Sequence, residues 1–228
     1  MIIQKMKSLT PMTEYTPSWD FSFGFKRWSD DEKIKKIRDW LINNEQRIIN
    51  SVDGDYDGQT GLGVDSLTGR FENYNLFNFA NELPELTDLL NFIRLSYFEF
   101  IKADKTNIRD TVVVCWYNVL RDGQNVAEHH HGAGNDVYLS GNFILDDYQT
   151  NTNYRCPFDK DVVMPISNNR GILTLFPSCI PHYSDVYRGN DVRISIAFDI
   201  RLPHIIENSQ RHAIDFMNEE IFNQLVKE

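Results

Sequence analysis

Four short runs of β-branched and aromatic residues in the second half of the chain most constrain its fold. Turn-forming segments rich in Gly, Asn, Asp and Pro separate these runs, and no helical pattern lies between them. Strands that follow one another without intervening helices pair in antiparallel sheets, whereas βαβ units need a crossover helix. The pattern predicts an antiparallel β domain, a jelly roll or similar double-sheet barrel, with strands at Thr111–Leu120, Val137–Leu145, Gly171–Phe176 and Val192–Ile200.

Three other segments show the apolar spacing that is typical of amphipathic helices. The first runs from Ser29 to Ser51, where Ser29 and Glu32 have the spacing of a capping box. The second spans Pro84–Lys102 and the third spans Arg211–Lys227. We expect the first two helices to brace one side of the sheet. The predicted fold class is therefore α+β with a mainly β core, N-terminal helices and a C-terminal helix.

The chain has 228 residues, of which 41% are hydrophobic. A folded chain of this size buries roughly 70% of the surface that its unfolded form exposes, so one sizeable core is expected. No shift in composition marks a boundary, and we expect a single domain over residues 1–228. Within it, residues 1–110 are expected to give helical and loop support, residues 111–202 the jelly-roll core, and residues 203–228 the C-terminal helix.

The charge balance and the cysteines indicate the class of partner and the compartment. The chain carries 23 Lys and Arg against 33 Asp and Glu, a formal net charge of −10, which argues against nucleic acid as a partner. It has no apolar stretch of about 18 residues, so no membrane span is predicted. Three cysteines without a close pair, Cys115, Cys156 and Cys179, fit reduced thiols and a cytoplasmic location. No pattern predicts an oligomeric state.

Four of the six histidines occur at two places, His129 to His131 in a row and His182 about fifty residues later. In an extended segment, His129 and His131 would share one face while His130 points to the other. Two imidazoles on one face plus a distant third could form an open site for Fe, Zn, Cu or Ni. The alternative is a solvated polar turn with His182 at a strand end.

Arg193 is an unusual residue for a β core. Alternation along its predicted strand places Arg193, Ser195 and Ala197 on one face. A buried guanidinium is costly unless a carboxylate pairs with it, and only Asp199 is acidic on that face nearby. A carboxylate ligand is therefore an attractive partner for Arg193. The alternative is a partly exposed arginine on an edge strand.

Four ordered motifs resemble those of the 2-oxoglutarate/Fe(II)-dependent dioxygenases, and most of all a small group of them found in bacteria and bacteriophages. The resemblance covers about Thr111 to Leu202. It implies a double-stranded β-helix, a His-x-Asp/Glu…His metal triad and an Arg-x-Ser pair that holds the far carboxylate of 2-oxoglutarate. The motifs are His129-x-His131, Ser140–Leu145, Gly171–Pro177 followed by His182, and Arg193–Phe198 with Ser195.

The chain departs from the wider pattern at the middle metal ligand. Residue 131 is histidine where most members have a carboxylate, and Glu128 and Asp136 stand at the wrong offset for the motif. The group that the chain most resembles often has His-x-His, which favours His131 as the third ligand. Asn118 and Asn142 are candidate contacts to the metal-proximal part of 2-oxoglutarate. The alternative for each asparagine is a bond to local backbone at a strand end.

The leading hypothesis is an Fe(II)- and 2-oxoglutarate-dependent hydroxylase that uses O₂ and forms succinate and CO₂. Its catalytic residues would be His129, His131, His182 and Arg193, and the resemblance favours an amino-acid, peptide or protein substrate such as a prolyl side chain, ahead of a nucleotide base. The segment Asp146–Asn169 could form a lid. Two alternatives stay open: a cupin-type three-histidine enzyme that does not use 2-oxoglutarate, and a non-catalytic binding module with a degenerate site.

Overall fold

The computed structural model describes residues 1–132, 138–203 and 212–225. Four residues used above, Asp136, Val137, Arg211 and Lys227, lie outside this range. The helices are α1 (Asp31–Ser51), α2 (Glu85–Asp104) and α3 (Glu219–Leu225), and short 3-10 turns lie at Thr68–Arg70 and Leu76–Phe79. The strands are β1 (Ile2–Lys7), β2 (Asp20–Arg27), β3 (Thr111–Leu120), β4 (Leu139–Ile144), β5 (Asn151–Cys156), β6 (Asp159–Ser167), β7 (Ile172–Pro177), β8 (His182–Ser184), β9 (Arg193–Arg201) and β10 (Ile214–Met217).

The strands of the described residues form two antiparallel sheets. The larger has the order β1-β2-β7-β4-β9-β3-β10, and the smaller has the order β6-β5-β8. The sheets face each other, because the ring of Tyr154 on β5 lies 5.3 Å from that of Phe23 on β2 and 4.8 Å from that of Phe176 on β7. The predicted fold class, a mainly β antiparallel jelly roll with a few helices, is confirmed. No described helix is both long and apolar enough to cross a membrane.

The register of β3, β9 and β4 decides which side chains face the space between the sheets. Residues directly opposite each other in antiparallel strands lie on the same face. Ser195 of β9 lies opposite Asn118 of β3, and Asp199 of β9 lies opposite Ser140 of β4. Alternation along β9 places Arg193 on this face as well. One face of the larger sheet therefore carries polar side chains from the three neighbouring strands β3, β9 and β4.

The other face of the larger sheet packs against the helices. Ile194, Ile196 and Phe198 of β9 are fully buried there. Leu41 of α1 and Ile93 of α2 are also fully buried and belong to the same apolar cluster. The two helices therefore brace one side of the sheet, as expected, and this packing stabilises the sheet independently of the polar inner face.

The prediction of only helical and loop support in residues 1–110 is wrong, because β1 and β2 lie there. β2 pairs with β7, and β1 pairs with β2, so both extend the larger sheet. The alternating run Phe21–Phe25 carried the signal for a strand. Gly24 lets this strand approach α2 closely, since a Cβ atom there would lie 2.6 Å from the ring of Phe100.

The N-cap of the first helix lies one residue later than predicted. Asp30 is the N-cap, and its Oδ1 accepts a hydrogen bond from the backbone N of Lys33 at 3.1 Å. The capping box predicted from Ser29 and Glu32 is therefore wrong. Asp is as favourable an N-cap as Ser, and Asp30, next to Ser29, caps the helix instead.

The predicted C-terminal helix over Arg211–Lys227 is also wrong over its first half. Residues Ile214–Met217 form β10, which pairs with β3, and α3 occupies only Glu219–Leu225. Phe216 is fully buried in this strand. Strand pairing covers the backbone edge that β3 would otherwise expose, and this tertiary gain outweighs the helical spacing of the apolar residues.

The segment Asp146–Asn169 is not an irregular lid. It contains β5 and β6, which pair with each other, and β5 also pairs with β8. Thr152, Tyr154 and Cys156 alternate along β5 as buried residues. Asn has a low strand propensity, so the asparagines of β5 kept the sequence from showing a clear strand pattern.

A buried arginine anchors the connection between α1 and α2. Arg70 is 7% exposed, and its guanidinium donates hydrogen bonds of 2.8–3.0 Å to four backbone carbonyls. This connection carries several residues that later prove to line the candidate site. The four acceptors belong to Ile49, Val52, Val64 and Ser66.

Replacing Arg70 by Met should lower the free energy of unfolding by about 3 kcal/mol, because several carbonyls would lose a charged donor in a buried place. Urea unfolding measures this difference. Arg188→Met is the matched control, since the side chain of Arg188 is 73% exposed and should change stability little. Equal stability of the two variants would show that Arg70 does not anchor the connection.

Candidate functional site

Three histidine side chains converge between the sheets. One ring nitrogen from each of His129, His131 and His182 lies within 4.8 Å of the other two. His129 and His182 exchange backbone hydrogen bonds of 3.1 and 2.9 Å, which holds the segment around His129 extended alongside β8. His130 is exposed, in agreement with the predicted alternation. The polar-turn alternative is not what the structure has at this place.

Hydrogen bonds on the outer side fix how each imidazole faces the centre. Nδ1 of His129 lies 2.9 Å from the carbonyl of Ala127, and Nδ1 of His182 lies 3.0 Å from the carbonyl of Ile180. Nδ1 of His131 lies 2.5 Å from Oδ1 of Asp199. Because these partners accept hydrogen bonds, each Nδ1 carries the proton and each Nε2 keeps its lone pair.

The resulting centre has the character of a cation site. Nε2 of His129 lies 3.2 Å from Nε2 of His131, and with both protons on Nδ1 these are two acceptors facing each other. A bound cation would remove this repulsion. Three neutral imidazoles suit Fe, Zn, Cu or Ni, and three protein ligands leave positions free for other groups.

Burial keeps His129 and His182 neutral. It lowers the pKa of His129 to about 4, helped by the neighbouring His131, and it lowers the pKa of His182 well below its usual value. Burial alone would raise the pKa of Asp199, but the nearby His131 and Arg201 outweigh it and the carboxyl stays ionised. His129 and His182 therefore present neutral nitrogen donors at neutral pH, and the carboxylate of Asp199 lies behind His131.

Arg193 is a buried cation that makes no salt bridge with any described residue. Its side chain is among the most buried in the chain, at 2% exposure, and Nε and Nη1 have no hydrogen-bond partner among the described residues. The ring of Tyr148 lies 5.8 Å from the guanidinium carbon. The nearby carboxylate of Asp185 is held instead by Asn151 and Asn153.

The buried guanidinium of Arg193 is suited to bind an anionic ligand. Burial lowers the pKa of Arg193 to about 10, which still leaves the guanidinium charged at neutral pH. A buried charge without a partner costs several kcal/mol, and a carboxylate offers the bidentate geometry that matches a guanidinium. The edge-strand alternative for Arg193 is wrong, since β9 lies between β4 and β3.

The cavity between the sheets brings together all seven residues that the sequence analysis singled out. The three histidines and Arg193 all line it, with Trp116 and Phe176 among the apolar walls. The cavity is narrow, with a volume of about 40 Å³. The seven residues are His129, His131, His182, Arg193, Ser195, Asn118 and Asn142.

The two asparagines bond to side chains far away in the sequence rather than to local backbone. The hydroxyl of Thr68 donates to Oδ1 of Asn118, which leaves the Asn118 amide nitrogen available as a donor. Nδ2 of Asn142 donates to the hydroxyl of Tyr154 at 2.8 Å. Both asparagines are thereby oriented by a neighbouring element, one by the anchored connection and one by the smaller sheet.

A second, wider pocket adjoins the histidines. It has a volume of about 380 Å³ and shares His129, His131 and Trp116 with the narrow cavity. Pockets of this size hold small molecules or single side chains of a larger ligand. Its other walls include Tyr56, Phe71, Glu72, Tyr138 and Arg201.

Several site residues were missed by sequence reasoning. The sequence analysis placed Asp199 on the face of Arg193 by alternation but gave it no role in the site. Ser140, whose hydroxyl lies 2.6 Å from Oδ1 of Asp199, had an alternation signal of the same kind on β4. Thr60 and Thr68 had none, because their contacts join parts of the chain that are about fifty or more residues apart.

Comparisons with known proteins agree with this geometry. Residues 114–199, fewer than half of the chain, match the family model described as "Putative 2OG-Fe(II) oxygenase". This range falls inside the segment over which the sequence resemblance was drawn, and it contains all seven residues. Among curated proteins, none matches the chain.

Solved structures of low sequence identity share the fold. A prolyl-4-hydroxylase from Pseudomonas putida is 10% identical, with a TM-score of 0.54 over 78% of this chain and 92% of the other. A prolyl hydroxylase from Trichoplax adhaerens, solved with a peptide fragment of hypoxia inducible factor, is 14% identical, with a TM-score of 0.55 over 78% and 83%. The α-ketoglutarate-dependent carbocyclase SnoK from nogalamycin biosynthesis is 10% identical, with a TM-score of 0.52 over 80% and 79%. The chain thus shares its jelly-roll fold with these three proteins.

The buried histidines predict how the stability of the metal-free protein depends on pH. An unfolded histidine takes up a proton near pH 6.5, but folded His129 does so only near pH 4. The unfolded state therefore binds more protons as the pH falls below 6.5, and the free energy of unfolding should drop by about 1–2 kcal/mol between pH 7 and pH 5 from His129 alone.

Urea unfolding in the presence of a chelator measures this drop. His129→Gln should reduce it, while the control His130→Gln should leave it unchanged because His130 is exposed. The same pH dependence in the parent and in His129→Gln would contradict the assignment of a neutral, buried imidazole.

Proposed function

We propose that the protein is an Fe(II)- and 2-oxoglutarate-dependent oxygenase that hydroxylates a C–H bond of an amino-acid or peptidyl substrate. The observation that carries the proposal is a single narrow cavity with three inward-facing imidazole nitrogens and an unpaired buried guanidinium. A metal cation suits the three imidazoles, and a carboxylate suits the guanidinium. The family match over residues 114–199 supports this pairing.

The metal would be held by His129, His131 and His182. Their Nε2 lone pairs converge, and their Nδ1 atoms are engaged on the outer side, so each ring is already oriented for binding. A three-imidazole set supplies no negative charge directly to the metal. Other metals also bind imidazole, and Fe(II) is the choice that the family match supports.

2-Oxoglutarate would bind with its far carboxylate on Arg193 and its keto-acid end toward the histidines. Ser195 lies on the same face two residues further along β9 and can donate its hydroxyl to that carboxylate. Asn118 and Asn142 line the cavity and can hold the part of the molecule nearer the metal. Arg193 would thus fix both the position and the direction of the cosubstrate.

Bound Fe(II) would supply the redox chemistry in which 2-oxoglutarate and O₂ become succinate and CO₂, one oxygen atom entering succinate and the other the substrate C–H bond. The chain's own residues bind and orient the reactants. Trp116 and Phe176 line the cavity and keep water away from it. The wider pocket would place the substrate beside the histidines.

An amino-acid or peptidyl side chain, such as that of proline, is the substrate that we propose. The wider pocket opens beside the histidines and has aromatic walls that can pack on an apolar ring. Two structures with the same fold are prolyl hydroxylases, one of them bound to a peptide. The free thiols Cys115, Cys156 and Cys179 and the proposed ferrous iron both favour a reducing compartment such as the cytoplasm.

Removing a metal ligand should abolish metal retention without unfolding the protein, because the sheet has its own core on the other face. His182→Ala should lose the rise in melting temperature that Fe(II) or Co(II) gives the parent under anaerobic conditions. His130→Ala is the matched control and should keep it. A His182→Ala variant that binds metal as the parent does would contradict the ligand assignment.

Arg193 should control cosubstrate binding and leave metal binding intact. Arg193→Lys keeps the charge but loses the planar fork, and Arg193→Ala loses both, so the affinity for 2-oxoglutarate should fall in that order, by at least about tenfold for Ala. Calorimetric titration of 2-oxoglutarate into Co(II)-loaded protein measures this. Arg170→Ala serves as control, since Arg170 pairs with Asp146 outside the cavity. Unchanged affinity in Arg193→Ala would overturn the assignment.

Succinate formation tests the function itself. With Fe(II), O₂ and 2-oxoglutarate, the parent should release succinate slowly without substrate, and faster with a proline-containing peptide that it hydroxylates. Metal binding without any binding of 2-oxoglutarate would favour a cupin-type enzyme of another specificity. A folded parent that retains no divalent metal at neutral pH would favour a non-catalytic module.

A further inference from the structure

The three histidines differ in what lies behind them. His129 and His182 donate their Nδ1 protons to neutral backbone carbonyls, at 2.9 and 3.0 Å. His131 donates to a carboxylate, that of Asp199, at 2.5 Å. Among the described residues, only one of the three imidazoles is therefore in contact with a negative charge, and the contact is short.

The carboxylate of Asp199 is held firmly in place. Asp199 is 2% exposed and lies on β9, directly opposite Ser140 on β4. Its Oδ1 also accepts a hydrogen bond from the hydroxyl of Ser140 at 2.6 Å, and its Oδ2 accepts one from Nη2 of Arg201 at 2.6 Å. These donors leave Oδ1 in line with His131 and disfavour any other position for the carboxylate.

We propose that Asp199 is a positioning residue for the metal, which acts through His131 and supplies the negative charge that the three imidazoles lack. The proposal rests on the metal site proposed above. The hydrogen bond fixes the orientation and tautomer of the His131 ring, and the charge makes its Nε2 a stronger donor. The site then behaves as one that contains a carboxylate, although none of its three ligands is acidic.

This role has consequences beyond structure. A carboxylate behind a ligating imidazole raises metal affinity, and its loss typically costs 10- to 100-fold. It also stabilises a more highly charged metal ion, so its removal should raise the reduction potential of bound iron. A carboxylate that only paired with Arg201 would affect folding stability but neither of these two properties.

The first test is the metal affinity of Asp199→Asn, which keeps the size of the side chain and removes its charge. Competition against a chelator under anaerobic conditions, with Co(II) and Fe(II), should give a roughly 10- to 100-fold weaker dissociation constant than the parent. Asp199→Glu keeps the charge and should restore most of the affinity. Asp185→Asn is the matched control, since its carboxylate is bonded by Asn151 and Asn153, and it should bind metal as the parent does.

The second test moves the charge from behind the ligand to the ligand itself. His131→Asp places a carboxylate at the metal while Asp199 remains nearby, and the two negative charges should repel each other. In this background Asp199→Asn should cost no affinity, or should raise it. The same loss from Asp199→Asn in both backgrounds would mean a general structural effect and would overturn the proposal.

The outcomes separate this proposal from the proposed function. If the parent binds no metal, the metal site itself is wrong. If the parent binds metal and Asp199→Asn binds it equally well, with an unchanged Co(II) spectrum and an unchanged iron potential, only the role of Asp199 is wrong. Should Asp199→Asn fail to fold, Asp199→Ser in the same measurements decides between the two roles, and the double variant His131→Asp/Asp199→Asn provides an independent reading.

Discussion

The candidate site depends on a buried guanidinium that has no salt-bridge partner among the described residues. Arg193 is nearly inaccessible to solvent, and two of its nitrogens have no partner among the described residues. Most folded proteins would place an acidic side chain within reach, because an unpaired buried charge is costly. Here the carboxylate of the nearby Asp185 accepts hydrogen bonds from Asn151 and Asn153, and the carboxylate of Asp199 accepts one from His131. An anionic ligand bound to Arg193 would offset the cost of burying this charge.

The strand register places Arg193 in the same cavity as the three histidines. Because β9 lies between β3 and β4, alternation along it sets Arg193, Ser195 and Asp199 on one inner face. Asp199 then meets His131 from behind, while the bridge between His129 and His182 brings in the other two rings. Under the proposed function, one strand would therefore supply both the residue that binds the anion and the residue that orients a metal ligand.

The sequence predicted the parts of the site that follow from local periodicity. The bounds of β3 were predicted to the residue, and the alternation of β9 and of the His129 segment placed Arg193 and the histidines correctly. Contacts between distant segments could not be predicted in this way. The pairing of Ile214–Met217 with β3 overrode a helical pattern, and the bond from Thr68 to Asn118 joins residues that no local pattern connects. The strand β5 was missed because its asparagines have weak strand propensity, and β6 was missed although it contains Val162, Val163 and Ile166.

The most direct measurement is a crystal structure of the protein grown anaerobically with Fe(II) and 2-oxoglutarate. We expect one anomalous peak about 2.0–2.2 Å from Nε2 of each of His129, His131 and His182, with Nδ1 of His131 still hydrogen-bonded to Asp199. We also expect the dicarboxylate to span from that metal to the guanidinium of Arg193. A metal bound away from the three rings, or an Arg193 that pairs with a carboxylate of the protein and leaves 2-oxoglutarate elsewhere, would contradict the account.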